Sequence, residues 1–161
     1  MFDLMYEAKG IGLAANQIDL PLKLFVINTA GEAGMGEELV FINPVIEHPK
    51  GSHEAEEGCL SIPGLVGFVN RPAQITINAY DLAGKEINST VDGLLARAIQ
   101  HESDHLEGKL FIDRVSEATR KQLQTELESF ELDFERKRKA NLIPSDQAIL
   151  QRLAEFEKRY C

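Results

Sequence analysis

With 161 residues, 43% of them hydrophobic and 27% charged, the chain has the length and composition of one soluble globular domain with a sizeable core. A net charge of −9 argues against general affinity for nucleic acid, and no apolar run approaches the ~20 residues that cross a bilayer. Two cysteines make no disulfide framework, and Met1-Phe2-Asp3-Leu4 lacks the basic start of a signal peptide, so the expected location is the reducing cytoplasm.

Residues 1–8 read as the tail of a helix, with Phe2, Met5 and Tyr6 on its apolar side and Gly10 and Gly12 ending it. The run from Gly10 to Gln17 is small and apolar and closes on a polar amide. A phosphate-binding loop would need a following Lys-Ser/Thr or a third glycine, and Ala15 holds that place. Residues 23–29 form a Leu/Phe/Val/Ile strand, 30–38 a Gly/Glu loop, and 39–42 a short strand. Asn43-Pro44 and His48-Pro49-Lys50-Gly51 are turn signals. Over 73–80, Ile75, Ile77 and Ala79 alternate with Thr76, Asn78 and Tyr80, the period of a half-buried strand. Residues 81–85 turn the chain into a hairpin partner over 86–91.

Asp92 is placed to cap a helix that runs to about Glu107, with Gly108 ending it. A further helix spans 116–139 and is interrupted by Asn141-Leu142-Ile143-Pro144. Ser145 caps a last amphipathic helix, whose stripe is Ile149, Leu150, Leu153 and Phe156. The pattern predicts an α+β fold, antiparallel strands enclosing a central helix, with extra C-terminal helices. The expected division is a catalytic domain over 1–113 and a helical extension over 114–161 packed on it, or on another copy.

The central helix carries His101-Glu102-Ser103-Asp104-His105. Residues four apart share a helix face, so both imidazoles can reach one divalent metal with Glu102 beside it. The plain alternative is a solvated His/Asp-rich face. A catalytic tetrahedral site needs a third protein ligand and an open position for water. Cys59, between Gly58 and Leu60-Ser61-Ile62-Pro63, can supply it, although a free cysteine is more often a small core residue.

In that order, GIGLAANQ (10–17), EGCLS (57–61) and QHESDH (100–105) resemble the three motifs of the peptide deformylases, and the similarity runs to about Ile112. These are metallohydrolases that remove the formyl group from the N-terminal methionine of nascent polypeptides. The resemblance implies Cys59, His101 and His105 as metal ligands and Glu102 as the proton carrier. It implies the Gln17 amide and the Leu60 backbone N–H as oxyanion donors, and ferrous iron as the metal, with nickel, cobalt or zinc as substitutes. Ile11, Gly12, Leu13, Leu60 and Leu95 are candidates for the slot that takes the methionine side chain, with Gly12 permitting close approach of a peptide. Asp104 and Arg71 are candidates for orienting the ligands.

The family pattern also begins with a strand and a helix start ahead of the glycine motif, whereas this chain opens inside that helix, so exposed apolar surface and a bare sheet edge are expected there. The C-terminus is longer than the family pattern. Its Arg136-Lys137-Arg138-Lys139 run falls on the helix that bacterial deformylases use to dock on the ribosome, and no membrane partner is expected. Two other readings share the motifs: a zincin-type peptidase with a third ligand from Glu126, Glu128 or Glu131, and a non-catalytic relative that binds N-termini.

Overall fold

The computed structural model describes residues 1–160, the side chain of Tyr160 excepted; Cys161, the end of the expected extension, lies outside them. Helix α1 (Phe2–Glu7) buries Met5 and stops as expected before Gly10, whose N–H donates to the Met5 carbonyl at 2.8 Å. Strand β1 (Gly12–Ala14) leads into a single 3-10 turn (Ala15–Ile18), and β2 (Leu24–Ile27) follows. Strands β3 (Leu39–Lys50), β4 (His53–Cys59), β5 (Ile62–Arg71), β6 (Gln74–Tyr80) and β7 (Glu86–Asp92) precede helix α2 (Gly93–Leu106). A second 3-10 turn (Phe111–Asp113) and helices α3 (Glu117–Lys139) and α4 (Asp146–Tyr160) complete the order.

Five strands make one antiparallel sheet in the order β1-β2-β3-β6-β7, while β4 and β5 form a separate two-stranded hairpin. The large sheet and α2 bury Phe25, Ile27, Phe41, Ile75 and Ile77 against Ala96, Ala98 and Ile99. Burying a side chain such as Ile75 or Ile77 contributes about 1.5–3 kcal/mol, so this interface holds α2 in place. The predicted alternation along β6 is observed, and Tyr80 is left outside. A second cluster, Cys59, Ile62, Leu65, Val69 and Phe111, lies under the hairpin and takes Leu123 and Leu127 of α3.

Two expectations are corrected, and one element is added. Asn43-Pro44 and His48-Pro49 do not end a strand. They are bulges within the 12-residue β3, where the pairing to β6 shifts register and Asn43 and His48 take φ of 51° and 49°. Proline has no N–H to give to a ladder, and a bulge is a position where none is required. The β4–β5 hairpin carries no tight-turn dipeptide and is absent from the sequence reading. Asp92 occupies the N-cap of α2 but makes no side-chain capping bond, whereas Ser116 accepts from the Thr119 N–H at the start of α3.

The C-terminal arm is loosely built. No residue of α3 is fully buried, and along α4 Ile149, Leu153 and Phe156 are half-buried while Leu150 is 65% exposed. An ion pair from Arg152 to Asp19 links α4 to the sheet domain.

Candidate metal centre

The centre lies where three segments meet: the loop and β1 on one side, the end of β4 on another, and α2 beneath. Cys59 is the last residue of β4, directly before a Leu60-Ser61 turn that returns the chain into β5. His101 and His105 lie one helical turn apart on α2, with ring centroids 5.0 Å apart. The Cys59 sulfur and one nitrogen from each ring lie within 4.8 Å of one another, and Sγ is 3.2 Å from His105 Nε2.

The polar surroundings favour a thiolate. Burial pushes the Cys59 thiol up, but hydrogen bonds with His101 and His105 outweigh it and hold its pKa at about 5. Burial likewise opposes charge on His101, yet its bonds to Cys59 and Glu57 raise it to about 10. Glu57 accepts from His101 Nδ1 at 3.0 Å and from Arg71 at 2.7 and 2.9 Å, which against burial hold it at about 2. With Nδ1 engaged in this way, Nε2 of His101 is left to face the centre.

Glu102 is 4% exposed, and burial, opposed by the two histidine charges, raises its pKa to about 7. Its Oε2 is a buried atom with no hydrogen-bond partner among the described residues. The role expected of Gly12 changes here. A Cβ at that position would lie 2.3 Å from Glu102 Oε1, so the glycine makes room for the carboxylate. Gln17 accepts from the Ala14 N–H at 2.8 Å, which orients its Nε2 toward Ser61 Oγ at 3.0 Å and Cys59 Sγ at 3.9 Å. A soft sulfur, two imidazoles and an unpartnered carboxylate oxygen together fit a divalent transition-metal ion and a water.

A cleft of about 550 Å³ opens onto these groups and is lined by Ile11, Gly12, Leu60, Leu65, Leu94 and Ala98 among others. Two of the predicted slot residues are not on its wall. Leu13 turns into a cluster with Met5 and Val26, and Leu95 packs into the sheet–helix core. Neighbouring Leu94, 52% exposed, takes the place expected of Leu95, because a one-residue step rotates a helix position by about 100°.

Among the described residues, neither Arg71 nor Asp104 is hydrogen-bonded to a histidine ring; Arg71 acts through Glu57, which holds His101 Nδ1. Arg71 bridges Glu57 to Asp104 at 2.8 Å, and Arg114 closes the other side of Asp104. Sequence reasoning missed Glu57, Arg97, Arg114 and Asn16, whose amide donates to the His105 carbonyl. Glu57 and Asn16 stood inside the EGCLS and GIGLAANQ motifs and could have been found there; Arg97 and Arg114 lie outside all three motifs. Glu126, Glu128 and Glu131 are exposed on α3, away from the centre, which removes the zincin-type ligand set.

The sequence profile of polypeptide deformylase matches residues 1–121. A peptide deformylase of Rhodopirellula baltica is 48% identical over 160 residues, 99% of this chain and 80% of that protein. Peptide deformylase 1B of Arabidopsis thaliana, described as chloroplastic/mitochondrial, is 44% identical over 140 residues, 85% of this chain and 50% of its own length. The crystal structure of a plant peptide deformylase superposes with a TM-score of 0.84 at 42% identity, covering 91% of this chain and 78% of the other. By sequence and by fold, the chain belongs to the polypeptide deformylase family.

Proposed function

We propose that the chain is a metal-dependent amidohydrolase that removes the N-terminal formyl group from formyl-methionyl nascent peptides and releases formate. The observation that carries this reading is the convergence of Cys59, His101 and His105 beside the partnerless Oε2 of Glu102. Once held by those three side chains, the cation supplies Lewis acidity, which lowers the pKa of water and polarises a carbonyl. Glu102 Oε2 accepts a proton from the water as its oxygen bonds to the formyl carbon. The same atom returns that proton to the amine nitrogen as the C–N bond breaks.

Negative charge on the formyl oxygen is met by two donors, the Gln17 Nε2 group and the Leu60 N–H. Removing one such donor typically raises a barrier by about 3–4 kcal/mol. Ile11, Leu60, Leu94 and Ala98 offer the unbranched methionine side chain an apolar wall, and Gly12 keeps Glu102 in place beside it. Formate release from a formyl-Met-Ala-Ser peptide tests the reading. Folded, iron-loaded protein that releases none overturns it.

Ferrous iron is the metal we assign, with zinc, nickel or cobalt as substitutes; anaerobically purified protein dominated by another metal would refute this part. We place the protein in the cytoplasm, where a reducing environment suits an unoxidised Cys59, and among the described residues no helix is long and apolar enough to cross a membrane. We take 1–113 as the catalytic unit and 114–161 as an extension joined to it through Leu123 and Leu127. A ribosomal contact by residues 136–139 gains little support, because Lys137, Arg138 and Lys139 already pair with Asp133, Asp146 and Glu135.

A further inference from the structure

The hairpin that carries Cys59 is not hydrogen-bonded to the five-stranded sheet, so no strand register sets the distance from the sulfur to α2. Something else must hold the two together. Apart from the Cys59–His105 contact at the centre itself, the side-chain links that cross that gap are His101 to Glu57, Asp104 to Arg71, and Arg97 to several partners at once. Arg97 lies outside all three sequence motifs. Its Nη1 donates to Glu57 Oε1 at 2.5 Å and to the Val69 carbonyl at 3.0 Å, and its Nη2 donates to the His53 carbonyl at 2.6 Å.

Those acceptors belong to both strands. His53 and Glu57 are on β4, Val69 is on β5, and in the hairpin register His53 faces Arg71 while Ala55 faces Val69. One guanidinium therefore grips the far end and the middle of the hairpin, and Cys59 lies at the near end. Arg97 and His101 are four residues apart, on one face of α2, so the grip and the imidazole share a rigid support. Arg97 is only 9% exposed, and its fork geometry is what lets three acceptors be met by one side chain.

We propose that Arg97 is a positioning residue for the metal centre: by pinning both strands of the β4–β5 hairpin to α2, it sets the separation between the Cys59 sulfur and the His101–His105 pair. The inference rests on the metal-dependent reading of the site, and it concerns the geometry of the donors. Loss of the guanidinium leaves Glu57 tied to Arg71 and His101 and releases the His53 end of the hairpin.

The test compares wild type, Arg97→Met, Arg97→Lys and Ile77→Val, a control in the sheet core, in three measurements. These are the melting temperature of the metal-free protein, Co²⁺ affinity by competition with a chelator, and the near-ultraviolet thiolate-to-cobalt band. Arg97→Met is expected to weaken Co²⁺ binding by about 10- to 100-fold and shift the thiolate band, beyond anything the control shows. Arg97→Lys, which keeps the charge but not the fork, is expected to recover only part of that loss. The proposal is overturned if Arg97→Met binds Co²⁺ within twofold of wild type, or loses no more than the control. Should Arg97→Met fail to fold, an Arg97→Lys protein with wild-type affinity and band overturns it equally. A wild type with no thiolate–cobalt band would instead sink the metal-centre reading itself, and this inference with it.

Discussion

Helix α2 packs between the five-stranded sheet and the β4–β5 hairpin, and the two hold it by different physics. Toward the five-stranded sheet it presents Ala96 and Ile99, both fully buried against Ile75, Ile77 and Phe25. Toward the β4–β5 hairpin it presents Arg97, His101 and Asp104, which meet Glu57 and Arg71 in a buried charged cluster. Apolar burial is non-directional and stabilises in proportion to area, so the sheet side secures the helix. Buried ion pairs give back much of their attraction as desolvation, but they demand particular distances and angles. The sheet side therefore sets stability, and the hairpin side sets where the sulfur, the rings and the carboxylates point.

Substitutions on the two sides should separate these contributions. The largest effect is expected at Glu102→Gln, which keeps the shape and removes the proton carrier. Turnover should fall about 10³-fold, roughly 4 kcal/mol of barrier, with metal content and melting temperature unchanged. Formate release kinetics would measure it, and a loss under tenfold would remove Glu102 from the mechanism. Cys59→Ser should lower metal affinity at least 100-fold as read by chelator competition, because a neutral hydroxyl replaces the thiolate; retention of metal would favour a ligand set without sulfur.

Ile77→Ala acts on the opposite side of the helix. A fully buried isoleucine lost from a packed core costs about 2–5 kcal/mol of unfolding free energy by denaturant titration, while turnover of the folded fraction should stay within about threefold. A turnover loss out of proportion to the stability loss would break the division of labour drawn above.

Gly12→Ala sharpens the same contrast from within the centre. The new methyl meets Oε1, Cδ and Cγ of the buried Glu102 side chain, an overpacking expected to cost only about 1–3 kcal/mol of stability. Displacing that carboxylate by about an ångström should nevertheless cost turnover roughly 10- to 100-fold. The smallest effect is expected in the arm, where Leu150→Ser at a 65% exposed position should move the melting free energy by no more than about 0.5 kcal/mol.

Much of this molecule is written locally. The alternation of Ile75, Ile77 and Ala79, the 81–85 turn, the Gly108 stop and the Ser145 cap are short-range patterns, and each appears in the fold where its period or chemistry places it. Naming Cys59, His101 and His105 together needed motif spacing, donor chemistry and the family resemblance that tied the three segments to one another. The prolines at 44 and 49 were misread because a turn and a bulge use the same residues, and only the partner strand distinguishes them.

The sequence by itself thus determined the helix that bears the histidines, the hairpin over 74–92 and the chemical character of the donors, since all of these depend on neighbours within a few residues. Tertiary structure alone decided that Gly12 yields to Glu102, that Leu94 and not Leu95 faces the cleft, and that Arg97 grips a hairpin 28 to 44 residues away along the chain. Those outcomes depend on which surfaces meet when the sheet and hairpin close on α2, and no local period encodes that meeting.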